Sequence, residues 1–446
     1  MWKNKKIFIL GMARSGYEAA KLLAKKNNQV LITDIKEQDK KHVEELKTLG
    51  VEYVITSEPE LILDNSYDLV VKNPGINKEH PVVRKAKELN ISVINEVEVA
   101  YHYLPKDITI IGITGSNGKT TTTTIIYEIL KVAGKPVHLA GNIGFPLCSF
   151  VNHIKKGDIL VIEISSHQLV DFDKFKTNIV VLTNLSETHL DFFKTYDNYV
   201  NNKGRIFNFH TYKNLAIINK DNKDSLLLTS NIASKKIYFS VSQKTDCYLD
   251  NKNIYYNNEE IIKLENIKIK GNHNYENIMG AIIVVKQFGV DNKDINKVLK
   301  KFSGVEHRIE YVKEINKRLF YNDSKSTNVK ATQIALRSFV SPIILILGGL
   351  DRGLPFDDLE PDMKYVKEII CYGETKNIIK KFANKINISC NVVDNLEQAV
   401  NKSYELSRPK DIILFSPACA SWDQYNNFEE RGKEFKKVVG KLRKLY

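Results

Sequence analysis

The chain of 446 residues is too long for one ordinary core, and at about 150 residues per domain it divides into roughly three. Hydrophobic residues make up 43% and charged residues 27%, which excludes collagen-like, mucin-like and wholly disordered chains. The 66 basic residues outnumber the 53 acidic ones to leave +13, a balance that favours anionic partners, but the lysines are scattered and most of the excess reads as solvated surface.

From Lys6 a strand (IFIL), a Gly-containing turn, a helix with Ala19, Ala20 and Leu23 at helical spacing, and a second strand ending at Asp34 form a βαβ opening. The lysines before the apolar start imitate a signal peptide, but Arg14 follows at once and no small-residue cleavage site appears, so a first strand is expected. Strand signals at YDLVVKNPG and ISVIN complete a parallel α/β domain over 1–104. At Pro105 the pattern restarts with ITIIGITG, a Gly-rich turn and a helix carrying Ile125, Ile126, Ile129 and Leu130. DILVIEISS, NIVVLTNLS and NLAIINKD follow as buried strands, and Lys235 to Gly271 is expected to form a small antiparallel appendage. The helix NYENIMGAIIVVKQFG closes this central domain, 105–304. A third α/β cycle, 305–446, runs through RLFYNDS, PIILILGG, EIICYG, NVVD and DIILFSPA to a basic helix. The expected fold is α/β in three domains, Rossmann-like at both ends, with a P-loop ATPase-like parallel sheet between them.

The strongest local signal is GITGSNGKTTTT, starting at Gly112. Its glycines let backbone N–H groups approach a phosphate, the helix N-terminus adds positive potential, Lys119 can reach the terminal phosphates and Thr120 can hold Mg2+. Ile113 stands where strict P-loop spacing wants a glycine, but Gly118-Lys119-Thr120 remains. The strand in ILVIEISSHQ delivers Glu163 at its carboxyl end, where ATP-dependent chemistry needs a carboxylate to orient Mg2+. His189 falls just past a neighbouring strand, where ligands of open α/β sheets collect; a cation ligand and an ordinary structural His are both open. Lys203 and Arg205 read locally as surface cations. Asn274 and Asn277, one helical turn apart, can present two amides to a nucleobase or phosphate, with helix capping by Asn274 as the competing role.

The first-domain turn Gly11-Met12-Ala13-Arg14-Ser15-Gly16 is like a G-x-G-x-x-G fingerprint with Ala in the middle, followed by Asp34. Taken literally it predicts a dinucleotide, but Ala13 hinders close approach to a pyrophosphate and leaves another nucleotide open. A nicotinamide oxidoreductase resting on this turn would leave the Lys119 loop unexplained. In the third domain YNDSKSTN puts Asp323, Lys325 and Thr327 at a strand-to-helix turn, and SPACASWDQYNNFEERG does likewise with Ser421 and Phe428, two candidate small-anion pockets. Five cysteines, with no CxxC pair and no metal-ligand spacing, fit a reducing cytoplasmic setting. Cys419 has no identifiable base beside it and reads as a buried, inert thiol. No stretch approaches about 18 consecutive apolar residues, so no membrane span is expected. No recognition helix, aromatic RNA platform or basic cluster appears, so nucleic acid is not an expected partner.

Taken together, GITGSNGKTT, GNIG (Gly141 to Gly144), EISSHQL, the His189 segment, GNHNYEN, the HRIE around Arg308, NDSKSTN and SPACASWDQYNNFEERG resemble, in order and over essentially the whole chain, the Mur ligase family. That family joins amino acids to UDP-linked muramic acid precursors of bacterial peptidoglycan, and the last two segments particularly resemble its D-glutamate-adding branch. The resemblance implies that ATP phosphorylates the carboxylate of UDP-N-acetylmuramoyl-L-alanine and that the D-glutamate amine attacks the acyl phosphate, releasing ADP and phosphate.

Carried over position by position, it implies an ATP site of Gly115, Ser116, Asn117, Gly118, Lys119, Thr120 and Thr121, with Asn274, Asn277, Arg308 and, from the third domain, Asp323. Two Mg2+ ions are implied, the first on Thr120 and Glu163, the second on His189 and a carbamylated Lys203, which replaces the surface reading of that lysine. Arg14, Ser15, Asp34, Lys36 and Asn73 would bind the UDP moiety, and Asn142, Ser165 and Gln168 the muramoyl part. Thr327, Arg352, Ser421 and Phe428 would take D-glutamate, with Lys325 facing the phosphate or acyl centre. Lys119, Glu163, His189, Lys203 and Lys325 form the implied catalytic set, in a monomer of the cytoplasm.

Overall fold

The computed structural model describes residues 2–142, 145–351 and 353–442. The chain forms two compact units, Met1–Phe302 and Ser303–Tyr446. In the first unit, β1 (Lys6–Leu10), β2 (Gln29–Asp34), β3 (Glu52–Ile55), β4 (Leu69–Lys72) and β5 (Ser92–Ile94) make a parallel sheet in the order β3-β2-β1-β4-β5. Ile7 to Leu10 are all buried, as an apolar run must be when helices cover both faces of a parallel sheet.

The second sheet of this unit comprises β6 (Thr109–Thr114), β7 (Val137–Gly141), β8 (Ile159–Glu163), β9 (Ile179–Leu182), β10 (Leu215–Asn219), β11 (Lys235–Ser240), β12 (Cys247–Asp250), β13 (Asn253–Tyr256) and β14 (Glu259–Lys263). Their order is β14-β13-β12-β11-β10-β9-β6-β8-β7. The expected antiparallel appendage is present, but it begins after Lys235. β11 pairs parallel with β10 from Leu215↔Lys235 to Asn219↔Phe239, so the central sheet continues through it, and β12 to β14 alone are antiparallel. The buried Ile237 and Phe239 are the reason: a strand whose apolar side chains need cover joins the core sheet.

β6 lies between β8 and β9, with Ile113 opposite Glu163 and Thr114 opposite Leu182. The Gly-rich turn, Glu163 and the segment leading to His189 therefore leave the carboxyl ends of adjacent parallel strands together. One continuous core joins the two sheets, running from Ile7, Ile9, Ala19 and Ala20 to Leu147, Cys148, Leu160, Ile162 and Phe172. On the opposite face of the central sheet, Ile125, Ile126 and Ile129 pack with Ile278 and Ile282.

In the second unit, β15 (Glu310–Ile315), β16 (Arg318–Asn322), β17 (Ile343–Gly348), β18 (Val366–Tyr372), β19 (Ser389–Val392) and β20 (Ile412–Phe415) follow the order β15-β16-β20-β17-β18-β19. β15 and β16 form an antiparallel pair and the other pairs are parallel, with apolar cores on both faces. Three layered α/β sheets thus match the fold class expected from the three α/β cycles. Among the described residues, no helix is long and apolar enough to cross a membrane.

Candidate active site

β6 ends at Thr114, and the chain turns through Gly115, Ser116 and Asn117 into Gly118, the N-cap of the helix Lys119–Val132. Gly118 has φ 81°, and a Cβ there would lie 2.1 Å from Asn277 Oδ1. Glycine is therefore required, and the close approach brings Asn277 against the loop. Gly118 supplies no side-chain cap, so the first N–H groups of the helix keep their positive potential at the loop. Lys119 Nζ reaches back to Gly115 O at 2.8 Å and Ser116 O at 2.7 Å. Thr120 is buried and Thr121 half-buried. Asn117 N donates to Asn184 Oδ1 at 3.0 Å. Asn274 does not cap its helix: Gly271 is the N-cap, and Asn274 Nδ2 donates to Lys270 O at 2.9 Å.

Glu163 closes β8 and is 1% exposed. Its Oε1 accepts from Asn142 Nδ2 at 2.9 Å, while its Oε2 is buried without a hydrogen-bond partner among the described residues. A desolvated, unpaired carboxylate oxygen is costly and favours a cation beside it. Lys203 is also 1% exposed, which corrects its local reading as a surface cation. The helix Tyr196–Gly204 turns it inward, and Nζ donates to Thr114 Oγ1 at 2.8 Å. Burial, reinforced by the Lys119 charge, holds the amine well below the ordinary lysine range, with Glu163 pulling the other way. Desolvation of this kind favours the free, nucleophilic amine over the ammonium form.

Tyr199, one helical turn before Lys203, is a residue that motif reading passes over. It is 1% exposed, its hydroxyl lies 2.8 Å from Ser116 Oγ, and its ring lies 5.7 Å from Lys203 Nζ and 6.2 Å from the His189 ring. Burial pushes its phenol up to about 12, so it stays a neutral hydrogen-bonding group. The four-residue spacing to Lys203 was the available signal. His189 is the N-cap of the short helix Leu190–Phe193 with φ 56°, and its ring lies 5.0 Å from that of His167. Left-handed backbone at a non-glycine residue is uncommon and collects at functional sites. Among the described residues no group of three or more His, Cys, Asp or Glu side chains is placed to hold a metal ion by itself. A divalent cation beside Glu163 would therefore rest on one carboxylate, a hydroxyl and oxygens supplied by a ligand.

The first sheet brings Ser15, Asp34 and Asn73 together. Ser15 Oγ donates to Asn73 Oδ1 at 2.5 Å, and a Cβ on Gly11, whose φ is 90°, would lie 2.5 Å from Asn73 Nδ2. Asp34 pins the turn by accepting from Met12 N and Ile35 N, both at 2.8 Å. The Arg14 guanidinium lies 5.1 Å over the Phe145 ring, and Lys36 is exposed. Ser165 and Gln168 hold each other in a capping box at the start of the helix Ser166–Leu169. Gln168 O accepts from Asn95 Nδ2 at 2.7 Å, which ties this segment to the end of β5.

In the second unit Asp323 is buried and accepts from Ile309 N at 3.1 Å, Ser326 Oγ at 2.5 Å and Ser416 Oγ at 2.6 Å. Burial raises its carboxyl to about 6 against these donors. Its carboxylate thus organises the turn that carries Lys325 and the half-buried Thr327. Lys325 Nζ lies 6.0 Å from the Phe428 ring, and Arg308 is exposed. Ser421 is 1% exposed, and its Oγ has no partner among the described residues. Burial pushes the Cys419 thiol up to about 11, consistent with an inert thiol. Arg352, and Ile143 with Gly144 of the GNIG segment, lie outside the described residues.

Three family models match along the chain: the Mur ligase MurD-like N-terminal domain over 5–95, the Mur ligase middle domain over 113–285, and the Mur ligase glutamate ligase domain over 307–419. The UDP-N-acetylmuramoylalanine--D-glutamate ligase of Geobacillus kaustophilus (strain HTA426) is 44% identical, with 99% of both chains covered. The protein of the same name from Bacillus cereus (strain G9842) is 42% identical over 99% of this chain and 98% of its own. Among solved structures, UDP-N-acetylmuramate-alanine ligase from Thermotoga maritima superposes with a TM-score of 0.58 at 17% identity, covering 98% of this chain and 99% of that one. A murein peptide ligase from Psychrobacter arcticus 273-4 does so with a TM-score of 0.54 at 16% identity, covering 99% and 100%. At those identities the likeness is one of fold. The domain models in their order and the full-length relatives together show that this chain belongs to the Mur ligase family.

Proposed function

We propose that this chain is an ATP-dependent acid–amino-acid ligase that joins D-glutamate to UDP-N-acetylmuramoyl-L-alanine in peptidoglycan precursor synthesis, acting in the cytoplasm as a monomer. The observation that carries the reading is a pair of buried groups beside the glycine-bounded loop: Glu163, with one oxygen unpartnered among the described residues, and Lys203, buried with its amine on Thr114 Oγ1. The relatives that bear the D-glutamate ligase name support the choice of substrates.

In this reading residues 1–104 hold the UDP-linked substrate, 105–304 hold ATP and 305–446 hold the amino acid. The backbone from Gly115 to Thr121 and the Lys119 ammonium cradle the triphosphate, with Asn274, Asn277, Arg308 and Asp323 serving the rest of the nucleotide. Thr120 and Glu163 hold one Mg2+; His189 and Lys203 hold a second, once the Lys203 amine has added to CO2 with loss of a proton to give a carbamate. The orphaned Glu163 oxygen fits such a cation, because Mg2+ is usually held by one or two carboxylates together with substrate phosphates. Bound there, ATP supplies the phosphoryl group that turns a carboxylate, a poor electrophile, into an acyl phosphate with a good leaving group.

The chain's own contribution is positioning and charge. Arg14, Ser15, Asp34, Lys36 and Asn73 fix the UDP end, and Asn142, Ser165 and Gln168 the muramoyl end. Thr327, Arg352, Ser421 and Phe428 orient D-glutamate, and Lys325 stabilises negative charge at the acyl centre. The test is phosphate release by the purified chain with the amino acid varied. Release is expected only with ATP, Mg2+, UDP-N-acetylmuramoyl-L-alanine and D-glutamate together; equal turnover with L-lysine or L-alanine would overturn the substrate assignment.

A further inference from the structure

Arg431, in the helix Phe428–Lys441, is 0% exposed and the largest fully buried side chain among the described residues. A guanidinium stays charged at any pH a cell meets. Its hydrogen bonds nevertheless go to neutral oxygens: Nε donates to Ser324 Oγ at 3.1 Å, and Nη2 to Ser324 O at 2.9 Å and Cys419 O at 3.0 Å. Nη1 is buried with no partner among the described residues. Asp423 feels the Arg431 charge, but its Oδ2 accepts from Glu374 N at 3.4 Å in a neighbouring turn. A buried cation hydrogen-bonded only to neutral oxygens is costly.

The same bonds tie together the segments on which the amino-acid reading rests. Ser324 immediately precedes Lys325 in the NDSKSTN turn, and its Oγ donates to Phe428 O at 2.8 Å. Cys419 stands two residues before Ser421, whose buried Oγ is unpartnered among the described residues. Nη1 lies so close to Gly349 that a Cβ there would stand 3.1 Å from it. A fixed charge and an unsatisfied hydroxyl therefore belong to one braced assembly, where an incoming anion would offset the cost of the charge.

We propose that Arg431 is a positioning residue that gives the amino-acid site its preference for an acidic side chain. Its fork holds the Lys325–Thr327 turn, Ser421 and Phe428 in one arrangement, and its charge, which no carboxylate hydrogen-bonds among the described residues, makes that wall attractive to a carboxylate. The inference rests on the reading of Thr327, Ser421 and Phe428 as amino-acid contacts.

Initial-rate kinetics of the full chain, with product counted by mass spectrometry, compare D-glutamate with its neutral isostere D-glutamine. Arg431→Gln is expected to raise KM for D-glutamate by about tenfold or more while KM for ATP stays within about twofold, because a charged interaction is lost from one site alone. The preference for D-glutamate over D-glutamine in kcat/KM falls with it, and Arg431→Lys, which keeps the charge, recovers part of the loss. A merely structural arginine would weaken both amino acids and ATP alike; that pattern, or an unchanged KM for D-glutamate, overturns the proposal. Where D-glutamine yields no product, KM for D-glutamate against KM for ATP decides. If Arg431→Gln fails to melt cooperatively, Arg431→Lys decides by the same pair of constants. A wild-type chain that consumes no D-glutamate overturns the underlying reading instead, and is recognised before any variant is compared.

Discussion

Lys72 Nζ lies 2.6 Å from Asp171 Oδ2, and both side chains are buried. Lys72 ends β4 beside Asn73, and Asp171 follows shortly after Gln168, so the pair joins the carboxyl end of β4 in the first sheet to the segment after β8 of the central sheet. Glu98 adds a second tie by accepting from the N–H groups of Asp173 at 3.1 Å, Lys174 at 2.9 Å and Phe175 at 3.0 Å. These contacts and the shared core hold the two sheets as one unit.

Breaking a buried ion pair from one side leaves an uncompensated charge, so Lys72→Met is expected to destabilise the chain by about 3–5 kcal/mol. Lys72→Met combined with Asp171→Leu should cost less than the single change. Urea midpoints of the two variants check this; a double variant at least as unstable as the single one would show that the charges do not act as a pair.

Glu96 lies in the same joint, where it accepts from Cys148 N. Burial raises its carboxyl from 4.5 to about 7 despite that bond. The folded chain then binds more protons than the unfolded one between those values. The favourable contribution is full below the unfolded value and is lost as pH rises through the folded one, a change of roughly 3 kcal/mol. Glu96→Gln cannot ionise, so its stability relative to wild type should be greater near pH 8 than near pH 5. Thermal melts at the two pH values decide, and a pH-independent difference would count against Glu96 as the source.

Gly118→Ala would drive a Cβ to 2.1 Å from Asn277 Oδ1 at a left-handed φ of 81°. The backbone strain alone costs about 1–2 kcal/mol, and the loop must also shift. Nucleotide affinity is expected to fall about tenfold or more while binding of the UDP-linked substrate is kept. Titration calorimetry with each ligand separates the two effects.

If Lys119 binds the triphosphate as proposed, Lys119→Ala should reduce kcat at least about a thousandfold with the fold intact, since it removes the charge that would meet the phosphates. Lys203→Ala should also abolish turnover, but short carboxylic acids added to the assay should restore part of it. A fully active Lys203→Ala chain would falsify the carbamate role; circular dichroism of both variants confirms folding.

The sequence alone specified what depends on neighbours along the chain. The apolar strand before Gly118-Lys119-Thr120 and the helix after it were legible as a strand–turn–helix unit, because hydrophobic period and turn chemistry are local properties. The alternation within Lys235 to Gly271 was equally visible, yet it could not say that β11 joins the central sheet, because strand partners are chosen by burial against distant residues. Only the tertiary structure decided that Lys203 points inward to Thr114, that Tyr199 links it to Ser116, and that Arg431 carries a buried charge without a carboxylate partner among the described residues. Whether a polar side chain is solvated or desolvated is set by what packs over it from elsewhere in the chain, and its charge state and chemistry follow from that burial.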